Sequence, residues 1–280
     1  MRAEIKKTVE ALAKVSAETI GCAAHTCPPP DRREIVAVLH ELQSLLFPMA
    51  FRREYPDMAD ETLLSRALYR LRDQVVAAMR FRGQEGDIEE KADTICAGFA
   101  KRLPEIKRLL LLDVEALYEG DPAAESREEV MITYPGIRAI MIFRIAHELY
   151  VLETPLIPRI MTEYAHEKTG IDIHPGARVG EYFFIDHGTG IVVGETTVIG
   201  DHVKLYQGVT LGAKSFELDE NGNPVKKIKR HPNIGNHVVI YANATILGGD
   251  TTIGDRCVIG GNTWLTSSVA AGSVVTYREE

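Results

Sequence analysis

Histidines set beside carboxylates are the residues of this chain with the clearest capacity for chemistry. The chain has nine histidines, and His187 in the run IDHGTG (185–190) directly follows Asp186. A neutral imidazole can take a proton from a substrate near neutral pH, and a neighbouring carboxylate holds its tautomer and raises its basicity. The candidate for that carboxylate is Asp172, 15 residues upstream. The alternative is a structural histidine bonded to the backbone, and spacing alone does not decide between the two.

A second group of residues suited to chemistry is basic. The run KKIKRH (226–231) ends in Arg230 and His231, and it follows the glycine-containing segment LGAK (211–214). Backbone that approaches a ligand closely, next to concentrated positive charge, suits a phosphate-bearing ligand such as a coenzyme A thioester. The alternative is a solvated basic surface without a ligand, which is the commoner role of such a run.

The elements that must position these residues are indicated by a repeat of six. Mostly aliphatic residues recur at this interval in two blocks: Ile173, Val179, Ile185, Ile191, Thr197, Val203 and Val209, then Ile234, Ile240, Ile246, Thr252, Val258 and Trp264. A period of six fits neither a helix nor a simple strand. It is typical of a parallel β-helix whose coils of about 18 residues have three sides. Such a coil places Asp172 roughly one layer below His187, and about four to five coils are expected across 171–213 and 234–272.

Between the two blocks the chain leaves the repeat. Val209 and Ile234 are separated by an interval that is not a multiple of six. Asn221-Gly222 is a strong tight-turn signal, so the excursion loop at 214–231 is predicted to form a hairpin-like arm. Loops that project from a rigid scaffold often carry function. The alternative is a tolerated insertion with no role.

The first 170 residues follow a helical period instead. Helices are predicted over 2–22, 32–47, 61–81, 88–119, 137–151 and 156–169, with a loop through Pro48 and Pro56, caps at Asp31 and Asp60, a bend or restart at Pro104 and a stop at Gly170. From Gly170 onward the composition changes, because 17 of the 23 glycines lie there. We therefore predict an α+β fold of two domains, helical over 1–170 and a β-helix over 171–280.

Composition argues against several classes of function. The net charge of −8 argues against nucleic acid as the main partner, and no stretch approaches the roughly 18 apolar residues that span a bilayer. Glu4 and Glu10 interrupt the first apolar pattern, so a signal peptide is not expected and a cytoplasmic protein is predicted. The cysteines are Cys22, Cys27, Cys96 and Cys257. Without CxxC spacing they predict neither a disulfide framework nor a zinc knuckle, although a pair between the first two stays open.

Several runs closely resemble those of the hexapeptide-repeat serine O-acetyltransferases. They are DIHPGARVG (172–180), IDHGTGIVVGET (185–196), QGVTLGAK (207–214) and KRHPNIG (229–235), and DVEALYEGDPAA (113–124) resembles the helical domain of the same family. The repeat alone would indicate only the fold, whereas the combination of these runs is much more specific. The resemblance covers most of the chain and implies an N-terminal all-helical domain followed by a left-handed parallel β-helix.

The activity that this resemblance implies is transfer of acetyl from acetyl-CoA to the hydroxyl of L-serine, which gives O-acetyl-L-serine for cysteine biosynthesis. In the family pattern His187 matches the general base and Asp172 the carboxylate that orients it. The residues that hold the amino acid match Asp121, Asp186, Arg230 and His231, and His231 is also counted as catalytic. The residues that contact CoA match Gly212, Ala213, Lys214, Ala242 and Gly260. No metal is implied.

The resemblance also implies partners. Members of the family form trimers through the β-helix with active sites between neighbours, and many pair two trimers through their helical domains. L-cysteine is expected as a feedback inhibitor at the serine site. The 214–231 loop is longer than the glycine-rich loop of many members, which could change how the site closes on CoA. The sequence also ends in SVVTYREE, without the isoleucine-ending tail by which many relatives bind O-acetylserine sulfhydrylase, so a stable complex with that enzyme is not expected.

Three other functions compete with this one. The first is acetyl transfer to a sugar, an antibiotic or homoserine, against which the predicted amino-acid-holding residues argue. The second is a zinc hydratase of the γ-carbonic-anhydrase type, which uses three histidines between subunits. His187, His202, His231 and His237 supply enough imidazoles, but their spacing does not match that family. The third is a non-catalytic solenoid used for assembly.

Overall fold

The computed structural model describes residues 1–19, 27–51 and 55–277. In these residues the helices are α1 (Arg2–Thr19), α2 (Arg32–Leu46), α3 (Pro48–Phe51), α4 (Asp60–Phe81), α5 (Ile88–Gly120), α6 (Arg127–Thr133), α7 (Pro135–Val151) and α8 (Ile157–Thr169). The end of the first predicted helix and the open Cys22–Cys27 pair lie outside the described residues. None of the helices described there is both long and apolar enough to cross a membrane.

Most helix ends follow the predicted chemistry. Asp31 caps α2 by accepting the backbone N–H of Arg33, and α8 ends at Gly170, which has the left-handed φ of 71°. Three details differ from the sequence prediction. Asp60 is the first residue of α4 rather than its cap, α5 continues through Pro104 without a restart, and two short helices lie where none was predicted, α3 in the predicted loop and α6 after the break at 121–126.

After α8 the chain forms short strands that stack in three parallel sheets. The strands are β1 (Asp172–Ile173), β2 (Arg178–Val179), β3 (Phe184–Ile185), β4 (Val192–Val193), β5 (Val198–Ile199), β6 (Lys204–Leu205), β7 (Thr210–Gly212), β8 (Asn233–Ile234), β9 (Val239–Ile240), β10 (Thr245–Leu247), β11 (Thr252–Ile253), β12 (Val258–Ile259), β13 (Trp264–Leu265) and β14 (Val274–Val275). Sheet I holds β1, β4, β7, β10 and β13, sheet II holds β2, β5, β8 and β11, and sheet III holds β3, β6, β9, β12 and β14. The first twelve strands thus form four coils of three strands, as the repeat of six predicts, and β13 and β14 form an incomplete fifth coil.

The repeat predicts the sheets correctly but not the inward side chain of every strand. Successive strands of sheet I are offset by 20, 18, 35 and 19 residues, so only one coil has the assumed length. The extra residue in the last interval shifts the inward-facing position by one residue. Trp264, expected in the core, is therefore 69% exposed. In β11 and β12 the buried side chains are Ile253 and Ile259 rather than the predicted Thr252 and Val258.

The arm lies between β7 and β8 and has a hairpin at its tip. Leu218 and Pro224 form an antiparallel bridge, and Val225 donates its backbone N–H to the carbonyl of Glu217 at 2.8 Å. The Asp219 carboxylate accepts the backbone N–H of Asn223 at 2.9 Å. This tip is the hairpin-like turn that the Asn-Gly pair predicts.

A buried ion pair fastens the helices to the first coil. Arg144 of α7 donates to both carboxylate oxygens of Asp113 in α5, at 2.5 and 2.8 Å, and both side chains are buried. Asp113 also accepts the backbone N–H of Phe183, and Arg144 also donates to the carbonyl of Gly180. Because removal of either partner would leave a buried charge uncompensated, the pair fixes α5 and α7 against coil 1.

Two corners of the coil carry most of the predicted site residues. The III–I corner comprises the turns that lead from sheet III to sheet I, at residues 186–191, 206–209, 241–244 and 260–263. The I–II corner comprises the turns that lead from sheet I to sheet II, at residues 174–177, 194–197, 213–232 and 248–251. The arm belongs to the I–II corner.

Candidate active site

Asp186 and His187 begin the III–I corner directly after β3. His187 has a φ of 56°, the left-handed conformation by which the chain turns from sheet III to sheet I. Its backbone N–H donates to Asp186 Oδ1 at 2.8 Å, and its ring Nδ1 lies 3.5 Å from the same oxygen. The His187 side chain is 70% exposed. The imidazole therefore faces outward beside a carboxylate, where it can contact a ligand outside its own chain.

Asp121 brings a second carboxylate to this corner from the helical half. It follows α5 as the C-cap; its Oδ1 accepts the backbone N–H of Ala123 at 2.8 Å, and its Oδ2 accepts the hydroxyl of Tyr134 at 2.5 Å. The bond from Tyr134 is the main cause that lowers the pKa of Asp121, and the nearby His187 lowers it further. The same bond is the main cause that raises the pKa of Tyr134 to about 12. Asp121 is therefore an anion at neutral pH.

Two glycines let the helices approach the III–I corner. A Cβ on Gly120, the last residue of α5, would lie 2.5 Å from the ring of Phe184. A Cβ on Gly136, in the first turn of α7, would lie 2.4 Å from the carbonyl oxygen of Ile185. Real Cβ atoms do not approach other atoms so closely, because the repulsion is too steep. The two contacts hold the end of α5 and the start of α7 against β3, directly before the corner.

Arg230 and Glu195 form an ion pair in the I–II corner. Arg230 Nη2 donates to Glu195 Oε2 at 2.5 Å, and the hydroxyl of Tyr150 in α7 donates to Glu195 Oε1 at 3.1 Å. Burial acts to raise the pKa of Glu195, but the bonds from Arg230 and Tyr150 hold it below its ordinary value. The guanidinium is therefore held by a carboxylate and, through Nη1 at 3.5 Å, by the carbonyl oxygen of Ile228. Its planar fork has further N–H groups that can bind a second carboxylate.

His231, the next residue, has the opposite environment to His187. It is 7% exposed, and its Nδ1 accepts the backbone N–H of Thr196 at 3.1 Å. The proton of the neutral ring therefore sits on Nε2. Burial, followed by the charge of Arg230, lowers the pKa of His231 to about 4. At neutral pH His231 is an uncharged hydrogen-bond donor.

A second neutral histidine lies in the same corner. His174 Nδ1 accepts the backbone N–H of Gly176 at 3.0 Å, burial lowers the pKa of His174, and the ring of Tyr150 meets its ring edge-on at 5.9 Å. Gly194 makes room for His231, because a Cβ there would lie 2.0 Å from ring atom Cδ2. The I–II corner thus combines one guanidinium with two uncharged imidazoles.

The residues predicted to contact CoA are divided between the same two corners. Gly212 ends β7, and Ala213 and Lys214 begin the I–II corner, with Lys214 exposed. Ala242 and Gly260 lie on successive turns of the III–I corner. All five are on coils beyond the one that carries His187, although Ala213 and Lys214 begin the same turn that ends in Arg230 and His231. A long ligand would have to run along the coil axis to reach His187 as well as these residues.

Asp172, the carboxylate predicted to orient His187, keeps that role as a prediction. It begins β1, and its carboxylate gathers with Glu163 and His166 of α8, with the ligand atoms of the three within 4.8 Å of one another. In the described part of the chain its carboxylate makes no hydrogen bond or ion pair with His187. The adjacent Asp186 makes that contact instead, because it accepts the backbone N–H of His187 and stays beside the ring.

The two corners are opposite edges of sheet I and do not meet within one chain. The chain crosses from one to the other between Gly190 and Glu195 through β4, a path on the order of 15 Å in extended conformation. Acid–base chemistry and substrate binding need contacts of about 3 Å. One chain therefore presents two half-sites, one with an exposed imidazole and two carboxylates, the other with a guanidinium and a buried imidazole.

The chain has known relatives over most of its length. It is 47% identical, over 267 residues, to the curated protein named "Serine acetyltransferase, plasmid" of Synechococcus elongatus, and the match covers 90% of this chain and 83% of that protein. The chain belongs to the serine acetyltransferase family. This confirms the resemblance predicted from the motifs. No family model matches the chain.

Solved structures of serine acetyltransferases share the fold as well. The serine acetyltransferase 1 of Entamoeba histolytica in complex with L-cysteine is 36% identical, with a TM-score of 0.76, and the match covers 85% of each chain. The serine acetyltransferase of Neisseria gonorrhoeae in complex with serine is 27% identical, with a TM-score of 0.56, and the match covers 85% of this chain and 93% of that one. The helical half and the coils are thus both features of the serine acetyltransferase family.

Four residues of the half-sites were not singled out from the sequence. Tyr134 holds Asp121, Glu195 holds Arg230, and Tyr150 holds Glu195. His174 lies in DIHPGA and Glu195 in GET, so motif position alone could have marked these two as members of the site. Tyr134 and Tyr150 lie on or beside a helix, and only the folded chain brings them to the corners.

Within one chain, one cluster of described residues could hold a metal ion, and it combines Glu163, His166 and Asp172. A γ-carbonic-anhydrase type of site uses three histidines, whereas this group has one histidine and two carboxylates. His202 and His237 stack face to face in another corner, with ring centroids 4.7 Å apart, away from both half-sites.

Proposed function

We propose that this protein is a serine O-acetyltransferase, which transfers acetyl from acetyl-CoA to the hydroxyl of L-serine and releases O-acetyl-L-serine and CoA in cysteine biosynthesis. The observation that carries the proposal is the near-full-length match to a curated serine acetyltransferase at 47% identity. The solved relative with bound serine supports the acceptor. The geometry of the two corners supports the chemistry, since it supplies a base and charges of both signs.

His187 is the proposed general base. A serine hydroxyl is a poor nucleophile at neutral pH, so its proton must leave as its oxygen attacks the thioester carbonyl. His187 Nε2 accepts that proton, the tetrahedral adduct collapses, and the carbon–sulfur bond breaks. The proton then passes from His187 to the CoA thiolate, which restores the neutral imidazole. Base catalysis of this kind typically contributes about 10²–10⁴-fold.

Charges at the two corners suit the two ends of serine. Asp121 and Asp186 offer negative charge for the ammonium, and Arg230 offers a planar fork for the carboxylate. His231, neutral with its proton on Nε2, donates a hydrogen bond rather than accepting a proton. Its catalytic contribution is therefore positioning of the substrate.

The carboxylate that orients His187 is assigned to Asp172 by resemblance, whereas Asp186 contacts the ring in the folded chain. Asp172→Asn and Asp186→Asn separate the two assignments. An orienting role predicts a loss of kcat with little change in the KM for serine. An ammonium-binding role predicts a raised KM for serine. If Asp172→Asn lowers kcat with little change in the KM for serine, Asp172 is the carboxylate that orients His187.

The separation of the corners supports an assembly in which the site forms between subunits. We propose that the III–I corner of one subunit meets the I–II corner of its neighbour, as in the trimers that the resemblance implies. The coil is proposed to be left-handed, with a domain boundary at 170/171, and two trimers are proposed to pair through the helical domains. A heterologous contact repeated three times closes a ring without leaving an unused half-site.

The proposed co-substrate acetyl-CoA runs along the coils past Gly212, Ala213 and Lys214 of one subunit and Ala242 and Gly260 of the neighbour. No metal takes part in the proposed reaction. L-cysteine, which is bound in the Entamoeba histolytica relative, is proposed to compete for the serine site. The predicted cytoplasmic location and the lack of a stable complex with O-acetylserine sulfhydrylase stay predictions.

A thiol-release assay tests the proposed function. The purified protein is given acetyl-CoA with L-serine, L-homoserine or a galactoside, with and without a chelator and L-cysteine. We expect CoA release with L-serine, at least about tenfold slower release with the other acceptors, no effect of the chelator, and inhibition by L-cysteine that serine relieves. Equal or faster release with another acceptor would overturn the proposed substrate.

A further inference from the structure

A cavity of about 740 Å³ lies beneath the arm, and we call it the arm cavity. Its walls come from three elements: Tyr150 and Thr154 at the end of α7, Arg178 and Val198 on the outer face of sheet II, and Lys227 and Lys229 of the arm. The volume is within the usual range of about 300–1,000 Å³ for small-molecule sites. Neither Arg230 nor His231 lines it, and Tyr150 and Glu195 border both, so the cavity adjoins the half-site of the I–II corner without including its guanidinium.

The charge around the arm cavity is positive and largely uncompensated. Arg178 and Lys227 make no side-chain hydrogen bond or ion pair in the described residues, and Lys229 Nζ donates only to the carbonyl oxygen of Thr196. Of the two acids in the wall, Glu195 is already paired with Arg230. Glu153 then remains to balance the positive charges of the three cations in the wall. Burial lowers the pKa of Lys229, and the charge of Arg178 lowers it further. An anion in the cavity would relieve this repulsion.

Two buried hydroxyl groups add to the polar character of the wall. Thr154 and Thr197 both line the arm cavity and are 6% and 0% exposed. Their Oγ1 atoms have no hydrogen-bond partner in the described residues. Buried polar groups without partners are uncommon and costly. A ligand rich in acceptor oxygens suits the ammonium and guanidinium groups of this wall, because it accepts charge-assisted hydrogen bonds from them.

We propose that the arm cavity binds a small phosphate-bearing anion, at a site distinct from both substrates, and that this ligand acts on serine binding through the arm. The route is short. Lys229 precedes Arg230 and His231, and the hydroxyl oxygen of Thr196 accepts the backbone N–H groups of both. An anion that draws Lys229 away from the carbonyl of Thr196 shifts the residues that receive the serine carboxylate.

The phosphates of acetyl-CoA are the other source of the same chemistry. The residues predicted to contact CoA begin at Gly212 on the third coil and continue to Gly260, near the fifth. The arm cavity faces the first two coils and the end of α7. A separate anion is therefore favoured, and competition between the two ligands decides the point.

Calorimetric titration of the full-length protein with inorganic pyrophosphate, at fixed ionic strength, tests the proposal. We expect saturable binding with a Kd below about 1 mM. Arg178→Gln and Lys227→Gln should each weaken it by about tenfold, since each removes a charge-assisted hydrogen bond. Lys226→Gln is the matched control, because it removes a neighbouring arm charge outside the cavity wall, and it should change the Kd by less than about twofold.

Three results would overturn the arm-cavity proposal: no saturable binding, equal weakening by Lys226→Gln, or displacement of pyrophosphate by CoA. The kinetic readout is the KM for the acceptor, which pyrophosphate should change in the wild type and leave unchanged in Arg178→Gln. A kinetic effect that persists in Arg178→Gln would overturn the coupling. The binding measurement needs no turnover. A protein that fails to transfer acetyl would still bind pyrophosphate if the arm-cavity proposal is correct, so failure of one proposal is distinguishable from failure of the other.

Discussion

The two histidines at opposite corners of the coil show how environment divides one residue type into two roles. His187 is 70% exposed and lies beside a carboxylate. His231 is 7% exposed and lies beside Arg230 and Lys229, and its pKa falls to about 4. A base must be reachable by the substrate, whereas a donor to the substrate carboxylate must be held in a fixed position. The first corner meets the first requirement, and the second corner meets the second.

The comparison extends from the histidines to the whole corners. The III–I corner collects acids from two parts of the chain and is open to solvent at His187, while the I–II corner collects a guanidinium and uncharged rings under the arm. Neither corner alone holds a base together with a site for the serine carboxylate. The difference between them therefore points to function at a boundary between subunits, and the predictions that follow test that division of labour.

The largest expected effect is on turnover when the base is removed. His187→Asn keeps a residue type that tolerates the left-handed φ of 56°, but it offers no nitrogen that can accept the proton. We expect kcat to fall by about 10²–10⁴-fold with an unchanged melting temperature. His202→Asn is the matched control, since His202 is also exposed in a corner at a φ of 57°, and its activity should stay within about twofold. A His187→Asn variant with near-normal turnover would remove the base from the mechanism.

The next effect is recovery of activity in mixed assemblies. His187→Asn subunits lack the first half-site and Arg230→Ala subunits lack the second, so each variant alone should be nearly inactive. In randomly mixed oligomers about a quarter of the sites combine the intact corner of one subunit with the intact corner of its neighbour. We expect that share of wild-type activity after co-expression with two different tags. Mixed oligomers that purify through both tags yet stay inactive would mean that each site lies within one subunit.

Sequence reasoning predicted the architecture because each side of a three-sided coil places one aliphatic residue in the core, which gives a visible repeat of six. Its errors occur where a coil has more residues than the strict repeat assumes. One additional residue between β10 and β13 turns Trp264 from the predicted core to the surface. Local features such as the Gly170 stop and the Asn221-Gly222 hairpin were predicted because each depends on a few adjacent residues.

The site was predictable only as far as its motifs reached. Asp186 and His187 are adjacent, and their contact follows from one turn. The bond from Tyr134 to Asp121 joins an α7 cap to an α5 cap, and the pair of Glu195 with Arg230 closes across the whole arm. Such contacts depend on how helices dock on the coil, which no local spacing encodes.

An intermediate effect concerns stability at the buried corner. The pKa of His231 is about 4 in the folded chain and about 6.5 in the unfolded chain. The unfolded state therefore binds the proton more readily between these values, and the free energy of unfolding should fall as pH falls through this window, by up to about 3 kcal/mol. His231→Asn should flatten this slope in urea unfolding at about pH 7 and pH 4.5, while His202→Asn should retain it. An unchanged slope in His231→Asn would show that other groups cause the acid sensitivity.

The smallest expected effect is on the acid that Tyr134 holds. Tyr134→Phe removes the hydroxyl that binds Asp121 Oδ2, so the carboxylate keeps only the backbone N–H of Ala123. We expect the KM for serine to rise by about three- to tenfold while kcat and the KM for acetyl-CoA stay nearly constant. The hydroxyl is the main cause of the lowered pKa of Asp121, so its loss should also move the acidic limb of kcat/KM for serine to higher pH.

The matched control for Tyr134→Phe is Tyr182→Phe, which keeps a ring stacked on His202, with centroids 4.3 Å apart, far from both half-sites. It should leave every kinetic constant unchanged. A general loosening of the α5–α7 contact in Tyr134→Phe would lower the melting temperature and affect both substrates together. A serine-specific rise in KM with an unchanged melting temperature would instead place Tyr134 in the positioning of Asp121. It would also show that the exposed corner depends on the helical half for its charge, whereas the buried corner takes its charge from the arm.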